Sequence, residues 1–193
     1  MSEYFAIFIG ASLVNNLILD SMLGVAPGLA VSRKTETALT MSAVMIYTLT
    51  LAALISYPLM HYLLIPARME QLNLIALVML ISLITLLSER LLLLTRPDMH
   101  EWIVPFIPLT LVNCSVLGVA LLNIQQVYGL MDSLFFGLGS GTGFGLVVII
   151  MSALQERLAG AAVPRPFRGL PVLLITLGIL SMAFMGFTGL VSN

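Results

Sequence analysis

At 193 residues the chain is long enough for one soluble domain, but 60% of it is hydrophobic, 9% is charged, and its mean hydropathy is +1.09. Soluble domains carry about 25% charged residues, so this composition cannot cover a water-facing surface and excludes a soluble enzyme. The net charge of −1 argues against a nucleic-acid partner, and the single cysteine, Cys114, excludes an intrachain disulfide.

Apolar runs of about 18 or more residues, the length that crosses a bilayer, recur along the chain and predict six transmembrane spans. The first runs from Tyr4 to Ala26 and ends at Pro27-Gly28. The second runs from Thr37 to Leu64 and stops at Pro66. The third covers Leu72 to Leu94, closed by Arg96-Pro97. The fourth covers Ile103 to Ile124, with Pro105 and Pro108 near its start. The fifth extends from Leu130 to Leu154 and the sixth from Leu170 to Val191. Met1 to Glu3 has no basic stretch, so no cleavable signal is expected.

Lys and Arg are distributed unequally between the two sides that six spans create. Loops 1-2, 3-4 and 5-6 carry Arg33, Lys34, Arg90, Arg96, Arg157, Arg165 and Arg168, whereas the side holding the termini and loops 2-3 and 4-5 carries Arg68 alone. The positive-inside rule places the three basic loops in the cytoplasm and both termini in the periplasm. Glu156, Arg157, Arg165 and Arg168 are expected to form a cytoplasmic surface for a partner subunit.

Two short motifs recur. Leu13-Val14-Asn15-Asn16 in span one returns as Leu111-Val112-Asn113-Cys114 in span four, and Leu23-Gly24-Val25-Ala26 returns as Leu117-Gly118-Val119-Ala120. A duplicated unit of three spans must place its second copy upside down. The expected fold is therefore an all-α integral membrane protein of two inverted three-helix repeats, 1–96 and 97–193. Spans 1 and 4 are expected to be interrupted, by the break from Gly24 to Gly28 in one and by the prolines in the other. Interrupted segments at matching places in two halves point to the working centre of a membrane protein.

Few side chains could carry chemistry. Asn15, Asn16 and Asn113 are amides where lipid offers no partner, and interhelical hydrogen bonds of roughly 0.6–2 kcal/mol each are their expected role. Asp20 is a carboxylate inside span one, where it costs roughly 2.5–3.5 kcal/mol or more. It has two readings: an ion, proton or electrostatic role, or a group near the break at Gly24 that reaches water or a helix N-terminus. A lone Cys114 in an apolar helix reads as a small buried hydrophobe, or as one thiolate of a site completed by another chain. Gly137, Gly139, Gly141, Gly143 and Gly145 alternate through span five without the Lys-Ser/Thr of a phosphate loop. Spaced four apart, Gly137, Gly141 and Gly145 form a smooth stripe for close helix contact. His61 and His100 lie at span ends, where solvated roles are expected, and the twelve methionines read as filler. No catalytic residue is read in this chain.

Several segments resemble a known family. These are Leu13 to Asn16, Leu23-Gly24, Val31 to Lys34 with Glu36-Thr37-Ala38, Asn113 to Asn123, Val163 to Gly169, and Ser181 to Leu190. Over essentially its whole length the chain is similar to the A subunits of Rnf electron-transport complexes and to the E subunits of sodium-translocating NADH:quinone reductases. The resemblance implies a subunit of an ion-translocating oxidoreductase in the bacterial inner membrane. It implies a paralogous six-helix partner of the Rnf E type, with B, C, D and G types completing the complex. It further implies a [2Fe-2S] cluster shared by the pair near the membrane midplane, each chain giving one cysteine from span one and one from span four. Cys114 matches the span-four ligand. At the span-one position, immediately before Pro27, this chain has Ala26, whose methyl group cannot bind iron.

Overall fold

In lipid, backbone N–H and C=O groups have only each other as partners, and long uncharged apolar runs accordingly fold as helices. The structure is a computed structural model and describes residues 2–25, 35–66, 70–95, 110, 113–126 and 129–187. Among the described residues there is no strand, and six main helices follow in chain order. They are α1 (Ser2–Ile9), α2 (Thr35–Pro58), α3 (Asn73–Thr95), α4 (Cys114–Gln125), α5 (Leu130–Ala159) and α6 (Leu170–Met185). The second, third, fifth and sixth predicted spans begin within two residues of α2, α3, α5 and α6.

Two helices carry the core. With its wider-wound extension Leu59–Leu64, α2 is 30 residues long, as is α5. At about 1.5 Å per residue each reaches roughly 45 Å, beyond the ~30 Å hydrocarbon core of a bilayer. These two are long and apolar enough to cross a membrane on their own. They pack together because α5 has no side chains along one stripe. A Cβ on Gly137 would lie 2.8 Å from Thr50 Cα, one on Gly141 2.7 Å from Ile46 Cα, and one on Gly145 3.0 Å from Ser42 Cβ. The intervening glycines form a second stripe that the four-residue spacing of the first does not include. Gly139 faces Phe8 O and Ala11, and Gly143 faces Ser12 O and the Asn16 amide. One helix thus admits two neighbours at backbone contact distance on opposite faces, since a two-residue offset turns about 200° around an α-helix.

The first predicted span departs from a single helix. After α1 the chain winds through one π-type segment, Gly10–Val14, and regular helix then ends, ten residues before Gly24. The cause is local. Asn16 Oδ1 accepts the Ile18 N–H (3.1 Å) and Asn16 Nδ2 donates to Ser12 O (2.9 Å), so the side chain takes the place of helical backbone partners. Further along, Met22 and Gly24 adopt positive φ, 55° and 75°. The extension of α2 has a similar explanation: Pro58 has no N–H to give, and the wider turn Leu59–Leu64 follows it directly. Pro27-Gly28, Ala26, Pro105, Pro108 and Leu111-Val112 lie outside the described residues, as do Arg33, Lys34, Arg68, Arg96 and His100.

Candidate functional site: the junction at Cys114

The site is built where the irregular segment after α1 meets the start of α4. Asn113 is the N-cap of α4, in extended conformation (φ −82°, ψ 114°), and its Oδ1 accepts the Ser115 N–H at 2.9 Å. That bond ends the preceding chain and sets Cys114 as the first helical residue. The Asn113 amide Nδ2 lies 3.5 Å from Met45 Sδ of α2. Cys114 is exposed, although Asn113 and Ser115 on either side of it are buried.

The segment from span one reaches this point through Gly24. Its backbone N–H donates to Cys114 Sγ at 3.1 Å, joining residues far apart in sequence. No other residue type fits there. The φ of +75° suits glycine, and a Cβ would run into Ser115 Oγ and come within 2.8 Å of both Asn113 Oδ1 and Phe144. Leu23 fills the surface above Gly118, where a Cβ would meet its Cδ1. The recurring Leu-Gly pairs, Leu23-Gly24 and Leu117-Gly118, therefore touch. Sγ consequently sits beside one N–H donor, at the N-terminus of α4.

The other candidates fall around this junction in different ways. Asn16 is 1% exposed and Asn113 3% exposed, and both use Oδ1 to hold the N–H two residues ahead. Asn15 is exposed. Asp20 is also exposed, with Ser21 Oγ 3.4 Å from its Oδ2. The backbone carbonyl of its neighbour Leu19 accepts from Ser181 Oγ of α6 at 3.0 Å, which ties the segment to the last helix. His61, near the end of the α2 extension, is exposed and stacked against Tyr57. Glu156, near the end of α5, accepts both the N–H and the hydroxyl of Thr35 and so caps α2.

Sequence reasoning gave Asn123 no role of its own. It is 1% exposed, and its amide donates to Ala53 O (3.0 Å) and Ser56 Oγ (2.9 Å), locking α4 to α2. The signal was present: Asn123 recurs on the same helix as Asn113, and Ser56 is a hydroxyl in an apolar run. Asn123→Ala is expected to destabilise the protein by roughly 1–2 kcal/mol, since it deletes both inter-helix bonds. Thermal unfolding in detergent checks this, and an unchanged melting temperature would show that the bonds contribute nothing.

Among the described residues no group of three or more His, Cys, Asp or Glu is gathered as a metal site. Cys114 presents one thiol at the surface of the chain.

Comparison with known proteins bears on that surface. Residues 4–191 match the family model described as "Rnf-Nqr subunit, membrane protein". The chain is 44% identical over 191 residues to the A-type subunit of the ion-translocating oxidoreductase complex of Shewanella pealeana, spanning 99% of this chain and 100% of that protein. The corresponding subunit of Colwellia psychrerythraea is 41% identical and that of Pseudoalteromonas translucida 44% identical, each alignment covering 99% of both chains.

Proposed function

The chain belongs to the Rnf-Nqr family of membrane subunits, and from that premise we propose that it relays electrons within the membrane part of an Rnf-type ion-translocating oxidoreductase. The relatives are named as subunits of such a complex, which supports a place for this chain among several subunits, and the proposal sets it in the inner membrane. Substrate chemistry belongs to the others, since no nucleotide or flavin motif occurs in this sequence.

The observation that carries the reading is the exposed Cys114 sulfur, held at the head of α4 by the Gly24 N–H. Cys114 donates one thiolate to a [2Fe-2S] cluster completed by a paralogous six-helix subunit. Such a cluster, bound there, supplies one-electron transfer. What this chain contributes is a fixed sulfur, a backbone donor beside it, and a buried amide, Asn113, that sets the turn. The remaining ligands come from outside the described junction. Iron analysis of the purified complex, with its optical and electron paramagnetic resonance spectra, tests the proposal. A complex without iron in its membrane subunits would refute it.

One observation favours a second reading. Ala26 stands where the family pattern has the other cysteine, and a subunit with no redox centre of its own would need neither thiol. Cys114 would then be a surface side chain, and exposed Asp20 an electrostatic or ion-conducting group.

The two halves, 1–96 and 97–193, act in the proposal as inverted repeats, with both termini periplasmic and loops 1-2, 3-4 and 5-6 cytoplasmic. The support is the Lys/Arg asymmetry together with the recurring motifs, in which Asn113 corresponds to Asn15 and Cys114 to Asn16. A reporter fused after Asn193 is expected to be active only in its periplasmic form. Activity of a cytoplasmic reporter at that end would invert the topology.

A further inference from the structure

The link between α5 and α6 encloses a cleft that electron relay does not use. Its volume is about 380 Å³, inside the ~300–1,000 Å³ range of small-molecule sites. The walls are aliphatic, with Leu158 from α5, Val163 from the link, and Val172 and Leu173 from α6. Two polar side chains complete it, Gln155 and Arg168. Arg168 is held in place: its Nε donates to Val163 O at 2.9 Å, which fixes the guanidinium plane. Its two terminal amino groups carry four further N–H donors, in the fork geometry that suits a phosphate.

The stretch 155–173 is net cationic, with three arginines against one acid. Arg157 and Arg165 are exposed on the same stretch, and its single acid, Glu156, is engaged with Thr35. Beside the cleft, α6 turns Leu170 and Leu174 outward, 66% and 54% exposed. An arginine beside aliphatic walls, on a net cationic stretch and next to an outward apolar helix face, matches a molecule with an anionic head and hydrocarbon tails. A peptide would bring backbone amides that these walls leave unpaired.

We propose that this cleft binds an anionic phospholipid of the surrounding bilayer. The phosphodiester sits on Arg168, an acyl chain lies along Leu158, Val172 and Leu173, and Arg157 and Arg165 favour anionic over zwitterionic headgroups.

The test uses the intact assembly extracted from membranes in mild detergent, with retained phosphatidylglycerol and phosphatidylethanolamine measured by mass spectrometry. Arg168→Gln is expected to lower the retained phosphatidylglycerol several-fold and to leave phosphatidylethanolamine unchanged. An unchanged ratio would overturn the proposal. Should the variant fail to assemble, a photoactivatable phosphatidylglycerol added to the unmodified assembly is expected to label peptides within residues 155–173. Labelling confined to other regions would overturn the proposal. So would loss of the label to excess inorganic phosphate, which would mark a free-anion site, or cross-links from this cleft to another subunit, which would mark a protein interface.

Discussion

Gly141→Leu is expected to abolish accumulation of the folded chain in the membrane. A Cβ at Gly141 already lies 2.7 Å from Ile46 Cα and 3.3 Å from Ile46 O, so the obstacle is backbone and no rotamer change can relieve it. The α2–α5 pair would have to separate along the face where Gly137, Gly141 and Gly145 meet Thr50, Ile46 and Ser42. Overpacking a tight core commonly costs about 1–3 kcal/mol and more where backbone must move, and here it is the central helix pair that is forced apart. Gly178→Ala supplies the contrast. Gly178 has nothing within 4 Å of a built Cβ and lies inside α6, so alanine there is expected to be neutral or stabilising by up to about 1 kcal/mol. Membrane yield and thermal unfolding of the two variants separate the cases. Equal behaviour would show that the glycine stripe is not the packing determinant.

Gly24→Ala is the second large effect and acts at the site itself. Alanine at φ +75° costs roughly 1–2 kcal/mol, and its methyl group would run into Ser115 Oγ and crowd Asn113 Oδ1 and Phe144. With ~1–3 kcal/mol for the crowding, the expected loss is roughly 2–5 kcal/mol. The backbone must also move, which takes the Gly24 N–H away from Cys114 Sγ. The variant should therefore show both a lower melting temperature and a changed rate of alkylation of Cys114 in the purified protein. A lower melting temperature with unchanged alkylation would place the strain elsewhere and remove Gly24 as the residue that positions the sulfur.

Much of this architecture is legible in the sequence because lipid imposes strict rules. The second, third, fifth and sixth spans needed only length and hydropathy to be placed, and the α5 stripe needed only the four-residue spacing of its glycines. The first span shows where such rules stop. Leu13 to Leu19 is apolar enough to read as continuous helix, yet Asn16 ends it by binding Ser12 O and the Ile18 N–H. Hydropathy averages an amide into its apolar neighbours and says nothing of its competition with the backbone. The second glycine stripe, Gly139 and Gly143, was hidden for a different reason: it depends on α1 lying against α5, a tertiary fact.

The site was legible as a set of residue names and not as an arrangement. The motifs singled out Gly24 and Cys114 separately, but their contact joins segments 90 residues apart and no periodicity encodes it. Exposure was equally invisible. Asn15 and Asn16 are neighbours of identical type, and one is exposed while the other is buried, because the helix has ended at Val14 and the chain turns there. Cys114 could be read as core filler until its position at the head of α4 showed the sulfur outside. The fixing of α4 by Asn123, through Ala53 and Ser56, likewise joins parts of the chain that are distant in sequence.

Whether Cys114 holds part of a redox centre is decided by Cys114→Ser. Serine keeps the size and the N-terminal position on α4, so folding is expected to survive, while iron-sulfur centres require thiolates. The measurement is iron content and the electron paramagnetic resonance signal of the assembled complex, taken with electron-transfer turnover on the same preparation. Cys114→Ser is expected to lose the cluster signal and turnover together, with subunit composition unchanged. Iron content and turnover equal to the unsubstituted complex would contradict it.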